Sequence, residues 1–179
     1  MNTNKSFMDP VQVLDRAELR RGMKVLDLGA GSGHFAIAAA QMVGHDGQVV
    51  VVDVLEQALE HVGAEARIKR LRNIKTMRKD LEQGQLPEIE SGFADCVILA
   101  NVLHQLKNQD KLFAEIYRVL KTSGTLLVID WNGKPTPIGP RVNERISEDD
   151  IKNQALETHL KFLADIPTDA FHYGMLFEK

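Results

Sequence analysis

Residues 25–35 read VLDLGAGSGHF, and this stretch decides the fold class. An apolar run ends at Leu28, three glycines follow at alternate positions, and a second apolar segment begins at Phe35. Glycine tolerates positive φ angles and lets the backbone approach a ligand closely. The pattern therefore predicts a strand, then a ligand-binding turn, then a helix whose free N–H groups point towards that turn.

The spacing of the glycines distinguishes two classes of ligand. A dinucleotide-binding turn reads G-x-G-x-x-G, which would put a glycine where this chain has His34. Asp27 precedes the turn, and a carboxylate there suits an ammonium group better than a pyrophosphate. The next apolar run, Val49–Val52, ends at Asp53, whose carboxylate can accept hydrogen bonds from both hydroxyls of a ribose. An amino-acid end at the turn and a ribose at Asp53 together indicate S-adenosylmethionine.

Apolar blocks alternate with segments of helical period along the chain. The predicted strands are Val25–Leu28, Val49–Val52, Ile74–Met77, Ala94–Ala100, Leu126–Ile129, Leu160–Ile166 and His172–Phe177. The predicted helices are 9–21, Phe35–Val43, Glu56–Arg70, Gln109–Leu120 and a last one that begins at Ser147. This alternation predicts an α/β fold: an open, mostly parallel sheet with helices on both faces and a ligand site at the carboxyl ends of the strands.

Between Val25 and Asp130 the chain resembles the class I S-adenosylmethionine-dependent methyltransferases, within the small-molecule, quinone-biosynthesis-like (type 11) branch. A looser likeness extends over His172–Lys179. The resemblance implies a Rossmann-like, doubly wound, seven-stranded and mostly parallel sheet with an antiparallel last strand, formed by one domain over residues 1–179. One departure is His159-Leu160, where relatives often carry Gly-Phe, so the local backbone there is open to question.

The same resemblance implies which residues bind the cofactor. Asp27 and residues 29–33 would hold the methionine moiety, Asp53 the ribose, and Asp80-Leu81 the adenine; the segment from Asn101 would flank the methionine end. The predicted cofactor-binding residues are Asp27, Gly29, Ala30, Gly31, Ser32, Gly33, Asp53, Val54, Asp80, Leu81 and Asn101.

Catalysis of methyl transfer requires position more than any obligatory side chain, because the cofactor carries the reactivity. His104 is the candidate general base, since imidazole titrates near neutrality; the alternative is a packed or capping side chain. Trp131 and the loop 131–147, together with the 9–21 helix, are expected to shape the acceptor site. Arg141 and Arg145 are candidates for binding an acidic acceptor, with plain solvation as the alternative.

Composition excludes several classes of protein. The net charge is −3, from 22 basic and 25 acidic residues, so no polyanionic partner is required. One cysteine and scattered histidines disfavour a metal site. The basic stretch Arg67–Lys79 is interpreted as a solvated face, which disfavours nucleic acid as a partner. Residues 1–6 lack the features of a leader and no apolar run is long enough to span a membrane, so a cytoplasmic protein is expected.

Four functions stay open at this point. A methyltransferase acting on a small-molecule acceptor is favoured, and the acceptor, the acceptor atom and the oligomeric state are undetermined. An RNA or protein methyltransferase using the basic stretch is the second, and a binding module that keeps the cofactor site without catalysis is the third. A nicotinamide oxidoreductase is the fourth, disfavoured by the glycine spacing.

Overall fold

The computed structural model describes residues 8–107 and 109–179; residues 1–6, on which the leader prediction rests, lie outside these ranges. The strands are β1 (Lys24–Leu28), β2 (Gln48–Asp53), β3 (Ile74–Arg78), β4 (Ala94–Ala100), β5 (Leu120–Trp131), β6 (Lys161–Asp165) and β7 (His172–Glu178). The helices are α1 (Pro10–Arg16), α2 (His34–Val43), α3 (Glu56–Ile68), α4 (Gln109–Val119) and α5 (Glu148–Glu157). Short 3-10 helices cover Leu81–Gln83, Leu103–Gln105 and Val142–Glu144.

The seven strands form one sheet in the order β3-β2-β1-β4-β5-β7-β6. β1 pairs in parallel with β2 on one side and β4 on the other, so Asp27 lies level with Val51 and Ile98. β7 runs antiparallel to both β5 and β6. This confirms the predicted Rossmann-like sheet with its antiparallel last strand. The strand order reverses at β1 and β4, where doubly wound sheets bind their ligands.

Two apolar layers hold the sheet between its helices. The four consecutive valines of β2 are all buried, as expected of a strand covered on both faces. Helices α1, α2 and α3 pack on one face, and α4 and α5 on the other. Val13 and Leu14 of α1 and Phe113 of α4 are at most 1% exposed. Burial of each such side chain stabilises the fold by roughly 1.5–3 kcal/mol.

Helix α1 is shorter than the predicted 9–21. Asp9 caps it as expected, accepting a hydrogen bond from the amide of Val11, but the helix ends at Arg16. Glu18 takes a left-handed φ of 60° and the amide of Leu19 bonds to the carbonyl of Leu14 at 3.0 Å. The turn buries Leu19 to 3% exposure, so burial of that side chain ends the helix early.

Strand β5 is longer than the predicted Leu126–Ile129. It begins at Leu120, directly after α4, and its pairing with β4 shifts register between Ala94 and Cys96. Leu120 is fully buried against the core, and pairing with Ala94 extends the strand ahead of the irregularity. Residues 122–124, which lie between the predicted helix and the predicted strand, therefore fall inside β5.

The local backbone at His159 is unusual, in line with the departure noted in the sequence. His159 follows α5 and its end residue Thr158, and takes a φ of 65°. The amide of Leu160 bonds back to the carbonyl of Ala155 at 2.9 Å, which is the hydrogen bond of a helix-ending turn. Glycine normally occupies this position because a Cβ atom strains a left-handed backbone.

Candidate functional site

A cleft of about 400 Å³ opens at the carboxyl ends of β1, β2 and β4. Apolar side chains such as Met8, Phe35 and Leu106 form part of its wall. It brings together ten of the predicted cofactor-binding residues: Asp27, Gly29, Ala30, Gly31, Ser32, Asp53, Val54, Asp80, Leu81 and Asn101. Gly33 does not line the cleft; it starts α2.

The glycine turn is held tightly against β2. The amides of Gly29 and Ala30 donate to the carbonyl of Val52, at 2.7 and 3.3 Å. Gly29, Gly31 and Gly33 all have left-handed φ angles, of 77°, 50° and 77°. A Cβ atom at Gly29 would overlap Val102, whereas one at Gly31 would meet no atom within 4 Å. Gly29 therefore serves close packing, while Gly31 leaves space open on the cleft side.

Asp27 has the most unusual environment of the acidic side chains in the cleft. It is 2% exposed, and its Oδ2 has no hydrogen-bond partner among residues 8–107 and 109–179. Burial raises its pKa to about 7, against the lowering effect of the Ala36 amide and with a further rise from the charge of Asp53. The Oδ1 of Asn101 is likewise buried without a partner in that part of the chain. Two acceptors thus lie in one cleft without donors.

Asp53 connects the end of β2 to the glycine turn. Its Oδ2 accepts from the Gly31 amide and its Oδ1 from the Leu55 amide, both at 2.9 Å. A carboxylate has about four acceptor positions, so each oxygen keeps room for one further donor. Asp53 can therefore hold the turn and still receive two hydroxyl groups.

Asp80 lines the cleft at the end of the edge strand β3, whereas Asn101 lines it at the end of β4. Its Oδ1 accepts from the Glu82 amide at 3.0 Å and so begins the 3-10 helix at Leu81. Asp80 is exposed and Leu81 is 7% exposed, which places a polar and an apolar group side by side. Val54, 49% exposed, adds apolar surface at the mouth of the cleft.

His104 lies beside the cleft, on the 3-10 helix between the lining residues Val102 and Gln105, and is not itself a lining residue. Its Nδ1 lies 2.9 Å from Oδ1 of Asp130, and the two side chains are 12% and 0% exposed. The amide of Trp131 donates to the same oxygen at 2.8 Å. Because a carboxylate only accepts, Nδ1 carries the proton and Nε2 is the basic nitrogen.

Asp130 is the residue that the sequence analysis did not single out. Asp130 lies at the carboxyl end of β5, where sheets of this kind place ligand-binding groups. Its position in the sequence could therefore have indicated a role at the site. Its Oδ2 is buried and has no partner in the described part of the chain. The pairing with His104 spans 26 residues and depends on β4 and β5 lying side by side.

The loop 131–147 is closed on itself by Arg145. The guanidinium donates to the carbonyls of Asn132 at 2.6 Å, Lys134 at 2.7 Å and Pro140 at 2.9 Å. It also lies 5.5 Å from the centre of the Trp131 ring. The expectation that Arg145 binds an acidic acceptor is therefore wrong in this conformation, because backbone carbonyls occupy its donors.

The same loop does not wall the cleft itself. Its residues are all described, and none of them, Trp131 included, is among those that line the cleft. The Trp131 ring packs instead on His172, with ring centres 4.2 Å apart. Arg141 is exposed.

Residues 8–107 and 109–179 contain neither a group of metal-ligating side chains nor a helix that could span a membrane. No three His, Cys, Asp or Glu side chains there are grouped so that they could hold a metal ion. None of the helices in that part of the chain combines the length and apolar character that crossing a bilayer requires.

Known proteins match both the sequence and the fold. The sequence model of the methyltransferase domain family matches residues 19–174. The ubiquinone/menaquinone biosynthesis C-methyltransferase UbiE of Haemophilus ducreyi is 36% identical over 122 residues, which is 66% of this chain and 45% of that protein. The UbiE of Francisella tularensis subsp. holarctica is 32% identical over 170 residues, 93% of this chain and 63% of that protein. The chain thus spans about half to two thirds of the length of these curated relatives.

A crystal structure of a SAM-dependent methyltransferase from Aquifex aeolicus is similar over almost the whole chain. The TM-score is 0.88 at 25% identity, covering 96% of this chain and 90% of that one. This chain belongs to the methyltransferase domain family, and the resemblance to class I small-molecule methyltransferases is confirmed. Membership implies S-adenosylmethionine as the cofactor. The unpartnered oxygens of Asp27 and Asn101, and the open space beside Gly31, fit a ligand that carries an ammonium group.

Proposed function

We propose that this chain transfers a methyl group from S-adenosylmethionine to a small-molecule acceptor. The observation that carries the proposal is the buried Asp27 carboxyl, whose Oδ2 has no partner among residues 8–107 and 109–179, in a cleft that also contains the unpartnered Oδ1 of Asn101. A buried carboxylate is costly unless a positive charge or hydrogen-bond donors compensate it. The ammonium group of an amino acid supplies both, so an amino-acid moiety is the ligand that suits this part of the cleft.

The remaining parts of the cleft suit the rest of the cofactor. Residues 29–32 line the part of the cleft proposed for the methionine end, and Asp53 keeps two acceptor positions for the hydroxyls of the ribose. Asp80-Leu81 offers a carboxylate and a backbone amide for the adenine, and Val54 gives apolar surface at the same mouth. These residue roles are assigned by resemblance to the family, and the distances above support them.

S-adenosylmethionine, when bound, supplies an electrophilic methyl group on a sulfonium sulfur. The residues of this chain hold the acceptor in line with that methyl group and keep water out. Met8, Phe35 and Leu106 give the apolar wall needed for both tasks. Holding two reactants in such a geometry can account for several kcal/mol of the barrier.

His104 is proposed as the general base for an acceptor that loses a proton on methylation. Asp130 is a positioning residue: its hydrogen bond to Nδ1 orients the imidazole, leaves Nε2 free to accept the proton, and stabilises the charge that then forms. Gln105, next to His104, and Val102, two residues before it, line the cleft, which brings the imidazole close to the acceptor site.

The acceptor assignment follows the named relatives. Because they are C-methyltransferases of quinone biosynthesis, an aromatic ring carbon of a quinone precursor is the first acceptor to test. Two alternatives from the sequence stay open: methylation of an RNA or protein, and cofactor binding without catalysis. The cytoplasmic location stays a prediction from the sequence.

Calorimetric titration with S-adenosylmethionine, S-adenosylhomocysteine and NAD tests the cofactor. We expect the first two to bind and NAD not to bind, and Asp53→Ala to weaken binding of both sulfur ligands. A metabolite extract incubated with the protein and cofactor is expected to show a product heavier by one CH₂. Tight NAD binding, or unchanged affinity in Asp53→Ala, would refute the assignment.

The base is tested separately with His104→Gln and Asp130→Asn. We expect both to lower kcat, by about 10²–10⁴-fold for His104→Gln. We also expect the first to remove the fall in rate at low pH that protonation of a general base produces. S-adenosylhomocysteine affinity is the control and should not change. An unchanged pH profile in His104→Gln would leave His104 with a packing role.

A further inference from the structure

A second pocket, of about 570 Å³, lies at the opposite end of the strands from the cofactor cleft. It is formed by the end of α2, the first residues of β1 and β2, and the turn between α3 and β3. The proposed methyl transfer to a small molecule does not use this pocket, which includes part of the basic stretch Arg67–Lys79.

The charges lining this pocket are strongly biased. Lys24, Arg70, Arg72 and Lys75 line it, are all exposed, and have no carboxylate within 4.0 Å among residues 8–107 and 109–179. Asp46 is the acidic lining residue, and its carboxylate is already engaged by His45 at 2.6 Å and by Arg21 at 3.5 Å. Four cations therefore face the pocket without a compensating anion in the described structure.

Helix dipoles account for only part of this charge. The ends of α2 and α3 lie here, and each carries about −0.5 of an elementary charge. The last carbonyls of α2, at Ala40 and Gly44, both accept from Nδ2 of Asn73 at 2.8 Å. Four cations against about one negative charge leave an excess of about +3, in a chain whose net charge is −3.

The backbone holds Arg70 in a defined position. Arg70 has a φ of 55°, and the amide of the following Leu71 bonds to the carbonyl of Ala66 at 2.8 Å. The turn fixes where the arginine leaves the main chain, so less conformational entropy is lost when its side chain binds a ligand. Guanidinium groups match the oxygens of phosphate in a two-pronged geometry.

We propose that this pocket binds the phosphate or diphosphate group of a small molecule. An excess of about three positive charges suits the multiple negative charges of a phosphate or diphosphate, and the volume is within the range of roughly 300–1,000 Å³ typical of small-molecule sites. Its lining includes no Phe, Tyr or Trp ring on which a base could stack, which disfavours single-stranded nucleic acid. The proposal concerns binding and does not depend on the methyltransferase assignment.

Titration calorimetry with pyrophosphate tests the proposal on the intact chain. We expect pyrophosphate to bind, with an affinity that falls as salt is raised, and we expect Arg70→Gln/Arg72→Gln to weaken it by about tenfold or more. Lys161→Gln removes an exposed cation on β6, at the other edge of the sheet; this variant is the control and should bind like the wild type. Circular dichroism should show that the double variant is folded, since both side chains are exposed.

Three outcomes would overturn the proposal. The first is that pyrophosphate does not bind. The second is that its affinity is equal in the double variant and the wild type, which would locate the anion elsewhere on the surface. The third is that a single-stranded RNA binds, is sensitive to the same double substitution, and is not displaced by pyrophosphate.

Discussion

The buried carboxyl group of Asp27 gives the stability of the fold a pH dependence that Asp27→Asn should remove. Burial raises its pKa from an ordinary 3.8 to about 7. At about 1.4 kcal/mol for each pKa unit, ionising this group in the folded chain costs about 4 kcal/mol. Asparagine has nearly the same shape, cannot ionise, and keeps an oxygen for the Ala36 amide.

The sign follows from the direction of the change. Below pH 3.8 the carboxyl is protonated in both the folded and the unfolded chain, so it costs nothing. Between pH 3.8 and about 7 the unfolded chain loses the proton first, so stability falls as pH rises, and above about pH 7 the full cost stays. The advantage of Asp27→Asn over the wild type should therefore be roughly 2–3 kcal/mol larger at pH 8 than at pH 5.

Denaturant unfolding of both proteins at pH 5, 6, 7 and 8 measures this difference, because any pH-independent effect of the substitution cancels. The ¹³C chemical shift of the Asp27 carboxyl gives the pKa directly and serves as an independent check. In parallel, Asp27→Asn should bind S-adenosylmethionine more weakly, since the charge opposite the ammonium is lost. An unfolding difference that is the same at pH 5 and pH 8 would refute the reasoning.

Three further substitutions test the backbone and the loop. Gly29→Ala should lower the free energy of unfolding by about 2 kcal/mol or more, because the added Cβ atom overlaps Val102. Gly31→Ala should lower it by only about 1 kcal/mol, through backbone strain. Equal losses in denaturant unfolding would contradict this. Arg145→Lys should speed hydrogen exchange across 131–147, because an ammonium group cannot serve three carbonyls in the guanidinium geometry; unchanged exchange rates would refute the role. His159→Gly should raise the free energy of unfolding by about 0.5–1 kcal/mol by relieving a left-handed residue, and a lower Tm would show that its ring contacts dominate.

Patterns local in sequence predicted much of the fold. β4 occupies the predicted Ala94–Ala100, and Ser147 begins α5 by accepting a hydrogen bond from the Asp150 amide, as its position before an acidic run indicated. The left-handed turn at 29–33 was also predictable, because only glycine adopts such φ angles freely. Strand periodicity, capping and glycine conformation are all determined within a few residues, so they can be read directly from sequence.

Errors in the prediction came from contacts between distant segments. Helix α1 ends at Arg16 because Leu19 turns into the core, and β5 starts at Leu120 because it pairs with Ala94. The role of Arg145 was mistaken for a similar reason: the carbonyls that it binds converge only when the loop closes. Burial and long-range pairing outweigh local propensity at such positions.

The amino-acid sequence alone determined the strand–turn–helix unit with its carboxylates, and hence the class of ligand, because the necessary residues follow one another along the chain. The tertiary structure decided what those groups are able to do. It buried Asp27 so that its Oδ2 has no hydrogen-bond partner among the described residues, and it joined His104 to Asp130 across 26 residues. Desolvation and side-chain pairing depend on what surrounds an atom in space, and the sequence does not state that.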